Sequence, residues 1–272
     1  MIPNVLTIAG SDPSGGAGIQ ADIKAISANG GYAMAVITGL TVQNTMGVQR
    51  VAMVDSGMVQ AQIASICDDI RIDAIKIGML GDEATTRTVA TSLETLEAPV
   101  VLDPVMVAKG GDRLLEPAAV KALQSCMIPL ATVITPNIPE AADLLGTSEA
   151  QTLEEMLVQG SRLLALGCRS VYIKGGHLSG AKSTDLLVTE AETETLRANR
   201  IMTRNTHGTG CTFAAALATQ IAHGHALTQA ARHAKSYITA AIRDADTLSV
   251  GNGHGPVHHF PHRMDDSRHH RT

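Results

Sequence analysis

Short, continuous apolar runs that alternate with helix-like stretches constrain this chain most. Runs of strand length occupy residues 5–9, 34–42, 74–77, 100–102, 132–135 and 171–173. Helix-like stretches such as 18–28, 59–70 and 85–96 lie between several of them. A strand that is apolar at every position needs cover on both faces, whereas a half-buried strand would alternate. The pattern therefore predicts an α/β fold, a mostly parallel central sheet sandwiched by helices in three layers. A length of 272 residues suits one large domain, expected over residues 1–261. Two regions depart from the pattern. Residues 183–188 and 194–202 read as a polar-edged strand pair, an edge hairpin. Residues 262–272 are polar and hold His262, His269 and His270 among Asp and Arg, and a solvated tail fits them better than a metal site.

Composition narrows the function classes. Aromatic residues make up 2% of the chain and Trp is absent, so a nucleic-acid surface built on stacked bases is excluded. A net charge of −5 supplies no basic field for nucleic acid or anionic lipid. The start, Met1-Ile2-Pro3-Asn4, has no basic region, and its apolar run stops at Gly10; neither a signal peptide nor a membrane span fits. Cys67, Cys126, Cys168 and Cys211 are far apart and form no Cys-x-x-Cys pair. Disulfides and a zinc site are not expected, and a reducing cytoplasm is.

Chemistry concentrates at Asn205-Thr206-His207-Gly208-Thr209-Gly210-Cys211, just before a helical run over 212–223. Glycines let backbone amides approach an anion, and a helix N-terminus adds free N–H groups and partial positive charge. Such a pocket suits a transferring phosphoryl group. A Gly-rich turn that only starts a helix explains the run equally well. Two other glycine clusters fail as phosphate motifs. Gly175-Gly176-His177-Leu178-Ser179-Gly180-Ala181-Lys182-Ser183 has Ala181 between glycine and lysine, so it is not a Walker A loop. Gly15-Gly16-Ala17-Gly18 lacks the last glycine of a dinucleotide fingerprint, since position 21 is Ala21. Cys211 is different from the other cysteines, which read as small apolar fillers. At a helix N-terminus the dipole is expected to favour its thiolate.

Taken together, several motifs resemble the ribokinase-like superfamily, and within it the hydroxymethylpyrimidine/phosphomethylpyrimidine kinases of thiamine biosynthesis. They are the segment from Ala9-Gly10-Ser11-Asp12 to Ala21-Asp22, Val42-Gln43-Asn44-Thr45, Lys76-Ile77-Gly78-Met79-Leu80 and Leu102-Asp103-Pro104-Val105-Met106. Thr135-Pro136-Asn137-Ile138-Pro139-Glu140-Ala141, Lys174-Gly175-Gly176-His177, the run ending at Cys211, and Gly255-Pro256-Val257-His258-His259-Phe260 complete the set. The resemblance implies a ribokinase-like fold, ATP as co-substrate, Mg²⁺ as metal, and a homodimer. It implies two acceptors in turn, 4-amino-5-hydroxymethyl-2-methylpyrimidine and its monophosphate.

Carried over by position, the resemblance puts Gly10, Asp22, Gln43, Met79 and Val105 around the pyrimidine. An amide such as Gln43 can read an aminopyrimidine edge, and Met79 and Val105 offer apolar contact. Asp103 and Glu140 would hold the metal, with Asn137 beside them; the plain alternative for Asn137 is a helix N-cap. Lys174 would offset phosphate charge, and Thr206, Gly208, Thr209 and Gly210 would cradle the anion. Cys211, as thiolate, would take the hydroxyl proton in the first phosphorylation. A vitamin B6 kinase acting on pyridoxine or pyridoxal is the nearest rival. A ligand-binding protein without catalysis would be expected to lose Asp103, Glu140, Lys174 or the glycine loop, and all are intact.

Overall fold

The computed structural model describes residues 1–106 and 116–261. The expected polar tail, 262–272, lies outside the described residues. In chain order the strands are β1 (Asn4–Ala9), β2 (Tyr32–Ile37), β3 (Gly39–Asn44), β4 (Gly47–Met53), β5 (Ala74–Ile77), β6 (Val100–Leu102), β7 (Val133–Ile134), β8 (Ser170–Ile173), β9 (Lys182–Thr189) and β10 (Thr193–Asn199). The helices are α1 (Gly18–Ala28), α2 (Ser56–Cys67), α3 (Glu83–Leu93), α4 (Pro117–Ala122), α5 (Ile138–Leu145), α6 (Leu153–Leu164), α7 (Thr209–Ala222) and α8 (Leu227–Arg243).

The main sheet runs β10-β9-β8-β7-β6-β5-β1-β2, parallel from β2 to β8 and antiparallel at β9 and β10. Period-two alternation divides each strand between two cores. Val5, Ala74, Val101, Val133 and Tyr172 pack with α1, α7 and α8. Leu6, Ile8, Ile75, Ile77, Leu102, Ile134 and Ile173 pack with α2 to α6. Both faces are covered, which is why the strands read as unbroken apolar runs. Helix α7 is buried from Thr212 to Thr219, and its alanines let it lie close on the sheet.

The strand order reverses between β1 and β5: β2 joins one side of β1, and the later strands build outward from the other. Ligands of such sheets bind at the carboxyl ends of the strands flanking that reversal.

Two expectations need correction. Residues 34–42 form two strands, because Thr38 breaks the run: its N–H donates to Ala9 O and its Oγ1 to Met79 O. Beyond it, β3 leaves the main sheet and pairs antiparallel with β4, which the apolar pattern had not indicated. Apolarity misled here because Val36 is buried while Leu40 and Val42 are exposed. The second correction concerns α7, which starts at Thr209, ahead of 212. Gly208 is its N-cap, with φ 77°, so Thr209, Gly210 and Cys211 form the first turn. The edge pair expected near 183–202 is β9 and β10.

Candidate active site

The parallel strands deliver their next residues to one rim. Lys174 follows β8 and bridges to Asn137 beyond β7, while Asp103 follows β6. Lys174 Nζ donates to Asp103 Oδ1 at 2.7 Å and lies 3.7 Å from Glu140 Oε2. Thr135 Oγ1 also donates to Asp103 Oδ1, at 3.1 Å. Asn137 and Glu140 form a capping box on α5: Asn137 Oδ1 accepts from the Glu140 amide, and Glu140 Oε2 accepts from the Asn137 amide. The N-cap role and a place beside the carboxylates therefore coexist at Asn137. Burial, with Asp103 adding to it, raises Glu140 well above the ordinary carboxylate range against the pull of Lys174. Burial also works against the charge of Lys174, but Asp103 and Glu140 keep its ammonium above the ordinary range.

The α7 N-terminus points at this group. A β-carbon on Gly210 would stand 3.1 Å from Lys174 Nζ and 3.3 Å from Asp103 Oδ2. Thr206 O accepts from Thr209 Oγ1 at 2.7 Å, which tightens the turn before the helix. The α7 N-terminus at Gly210, the Lys174 ammonium and two carboxylates thus lie together.

Cys211 is half-buried in the first turn. Beneath it lies an ion pair with no exposure on either side, Lys76 Nζ to Asp22 Oδ2 at 2.8 Å, and Thr7 Oγ1 donates to the same oxygen. Lys76 and Thr7 alternate with the apolar residues of β5 and β1 and so face α1 and α7. Burial opposes the Lys76 charge, yet Asp22, Cys211 and Asp103 hold its ammonium above the usual lysine range. The dipole-favoured thiolate expected at Cys211 is not the resting state. Burial raises the thiol to about 11; Lys76 and the Gly18 amide pull it down, while Asp22 and Asp103 push it up. Desolvation exceeds the helix terminus here.

The other expected site residues line the neighbouring rim. Met79 follows β5 and covers Gly10, where any side chain would collide with the Met79 methyl group. Gln43, half-buried on β3, accepts from Thr41 Oγ1, which also donates to Ser11 O. This ties the hairpin to the loop after β1. Val105 is half-buried two residues beyond Asp103. Asp22 is enclosed below this rim in its ion pair with Lys76, and its Oδ1 has no hydrogen-bond partner among the described residues.

Sequence reasoning passed over Asp12, His207, Lys76, Thr135 and Asp185. Asp185 Oδ1 accepts from the Gly175 amide at 2.9 Å, and its Oδ2 accepts from Tyr172 and Lys235. The network anchors the chain directly after Lys174. A lysine inside the apolar β5 was the one legible signal, since a buried ammonium needs a buried carboxylate.

Among the described residues no cluster of three or more His, Cys, Asp or Glu could cage a metal. One or two carboxylates beside a phosphate cradle is what Mg²⁺ takes, as it usually keeps waters and substrate oxygens as ligands. Asp103 and Glu140 fit that donor set. No helix among the described residues is long and apolar enough to cross a membrane, and all four cysteines are free.

Fold and rim together define a small-molecule kinase of the ribokinase-like class. Comparison with known proteins narrows this. The sequence model described as phosphomethylpyrimidine kinase matches residues 12–258, and the chain belongs to that family. It is 52% identical over 258 residues to the hydroxymethylpyrimidine/phosphomethylpyrimidine kinase of Escherichia coli strain K12, covering 94% of this chain and 97% of that one. Among solved structures, an ADP complex of Bacillus subtilis pyridoxal kinase superposes with TM-score 0.89 at 37% identity, over 97% of this chain and all of that one. A phosphomethylpyrimidine kinase from Clostridium difficile superposes with TM-score 0.78 at 40% identity, over 88% of this chain and 99% of that one.

Proposed function

We propose that the protein uses ATP to phosphorylate 4-amino-5-hydroxymethyl-2-methylpyrimidine and then its monophosphate, giving the diphosphate for thiamine biosynthesis. The observation that carries this reading is the convergence of Lys174, Asp103 and the Gly208–Cys211 turn on one rim, beside Gly10 and Met79. Lys174, Thr206, Thr209 and Asn137 hold the ATP phosphates, and the amides of the α7 first turn receive charge as it moves. Mg²⁺ held by Asp103 and Glu140 would neutralise phosphate charge. Gly10, Gln43, Met79 and Val105 orient the pyrimidine with its hydroxymethyl group toward the α7 N-terminus, and Asp22, enclosed beneath them, acts through its ion pair with Lys76.

Cys211 accepts the hydroxyl proton in the first transfer, through the small thiolate fraction that a thiol with pKa about 11 supplies. The second acceptor is a phosphate monoester with a second pKa of about 6, already largely dianionic, and needs no base. Incubating the purified protein with ATP and the pyrimidine, and resolving mono- and diphosphate over time, tests the reading. Ordered appearance of both products is expected; ADP release unaffected by the pyrimidine would overturn it.

The likeness to Bacillus subtilis pyridoxal kinase supports a second acceptor, pyridoxal, since both acceptors carry a hydroxymethyl group on an aza-aromatic ring. Comparing kcat/KM for the two ranks them. The protein is further proposed to act as one kinase unit over residues 1–261, as a cytoplasmic homodimer. The free cysteines support a reducing compartment. Exposed Leu40, Val42 and Met46 on the β3–β4 hairpin offer apolar surface for a second copy, which light scattering would detect.

A further inference from the structure

Two loops nearly two hundred residues apart interlock beside the rim. One, residues 10–18, joins β1 to α1; the other, residues 205–211, opens α7. They touch backbone to backbone. A side chain on Gly208 would collide with Gly16 O, and a side chain on Gly16 would collide with the His207 ring. Besides the Gly18 amide on the Cys211 sulfur, a hydrogen bond between two side chains crosses the junction: His207 Nε2 to Asp12 Oδ2 at 2.7 Å, both residues buried.

Asp12 is fixed within its own loop, and the His207 backbone is fixed against the segment that follows α8. Asp12 Oδ1 accepts from the amide and hydroxyl of Ser14, Oδ2 accepts also from the Ala17 amide, and the Asp12 amide donates to Gln20 Oε1. On the other side the His207 amide donates to Gly255 O, and His207 O accepts from the Val257 amide. Neither residue can shift without carrying its loop.

The loops serve opposite halves of the reaction. The first carries Gly10 under Met79 and holds the β3–β4 hairpin, through Ser11 N to Gly39 O and Thr41 Oγ1 to Ser11 O. The second carries Gly208, Gly210 and Cys211. We propose that Asp12 and His207 are positioning residues for phosphoryl transfer. Their hydrogen bond sets the distance between the accepting hydroxyl and the phosphate cradle, without touching either substrate. This rests on the reading of Gly208–Cys211 as that cradle. A displacement near 1 Å at a reacting centre costs about 10²-fold in rate, whereas binding of each substrate by its own loop is preserved.

The test compares His207→Phe, which removes the bond, with His207→Gln, whose amide can still donate to Asp12. In His207→Phe, kcat of both phosphorylations is expected to fall about 50- to 100-fold with each KM within about threefold of wild type. In His207→Gln, kcat is expected to recover to within about fivefold. A folded His207→Phe variant with kcat near wild type overturns the proposal, as does a loss confined to KM or an equal loss in both variants. If His207→Phe does not fold, Asp12→Asn, His207→Ala and their double variant replace it. A double-variant loss in kcat clearly smaller than the product of the two single losses supports the pair, and simple multiplication of the losses counts against it. Absence of pyrimidine phosphorylation by the wild-type protein would instead refute the kinase reading itself.

Discussion

Lys174 Nζ stands 2.7 Å from Asp103 Oδ1, a pairing that spans the ends of β8 and β6 with β7 between them. The same ammonium lies 3.7 Å from Glu140 Oε2, so one cation holds two buried carboxylates together. Removing it leaves two buried carboxyl groups with no cation between them and takes a donor from the phosphate cradle.

Lys174→Met is therefore expected to lower kcat/KM for ATP by roughly 10²- to 10³-fold, the scale of losing one donor to a transferring anion. Lys174→Arg keeps the charge in a wider head group and recovers only part of it. Steady-state kinetics with ATP varied at saturating pyrimidine measure both.

Cys211 separates the two chemical steps. Its thiol is raised to about 11, so below that value the thiolate fraction grows about tenfold per pH unit. Between pH 6.5 and 8.5, roughly the range where the protein is assayable, the first phosphorylation of wild type is expected to climb with pH. The second, which shares every other titrating group with the first but needs no base, is expected to climb far less. Cys211→Ala is expected to lower the first step by about 10²-fold or more and to flatten its profile, leaving the second within about threefold. Equal losses in both steps would mean that Cys211 only shapes the anion pocket.

Much of this architecture was legible because parallel strands buried on both faces must be apolar throughout, and that pattern survives in a bare sequence. The β3–β4 hairpin was not legible. Leu40 and Val42 look like core residues yet are exposed, and only the pairing of Thr38 with Ala9 and Met79 ends the preceding strand. At the rim, strand-end positions such as Asp103 and Lys174 stood out through their motifs. Asp12 and His207 did not, since each is an ordinary polar residue until a fold brings positions 195 residues apart into contact. Desolvation was equally invisible. A cysteine beside two glycines at a helix start reads as an activated thiol, and only the packing around it reverses that.

His259 makes stability depend on mild acid. Burial, with Lys24, His258 and His207 nearby, lowers it from 6.5 to about 4, and its Nε2 lacks a hydrogen-bond partner among the described residues. The folded state thus binds this proton less readily than the unfolded state. Its stabilising contribution is complete above pH 6.5 and is lost as pH falls from there toward 4, a change of about 3 kcal/mol. Denaturant melts of wild type at pH 7.5 and 4.5 are expected to differ by more than those of His259→Leu, which has no proton to bind. Parallel pH dependence in the two proteins would locate the acid sensitivity elsewhere.

Gly208 and Gly210 lie two residues apart, and the structure gives them different tasks. At Gly208 the backbone has φ 77°, and a side chain would run into Gly16 O, a backbone atom fixed by the interlocked loops. Alanine there carries both a left-handed backbone cost of about 1–2 kcal/mol and a clash with an atom that has no rotamer to escape by. Gly210→Ala instead meets the flexible tip of Lys174 at 3.1 Å and the Asp103 carboxylate at 3.3 Å, in ordinary helical backbone. Gly208→Ala is therefore expected to lower Tm by about 5–10 °C, whereas Gly210→Ala leaves Tm within about 2 °C. For Gly210→Ala the loss falls on ATP binding. Gly210→Ala pushes on the lysine and fills space an incoming phosphate would occupy, so KM for ATP rises about tenfold or more with the fold intact. If both variants lost stability equally and KM for ATP stayed put in Gly210→Ala, the turn would be a helix start and nothing more.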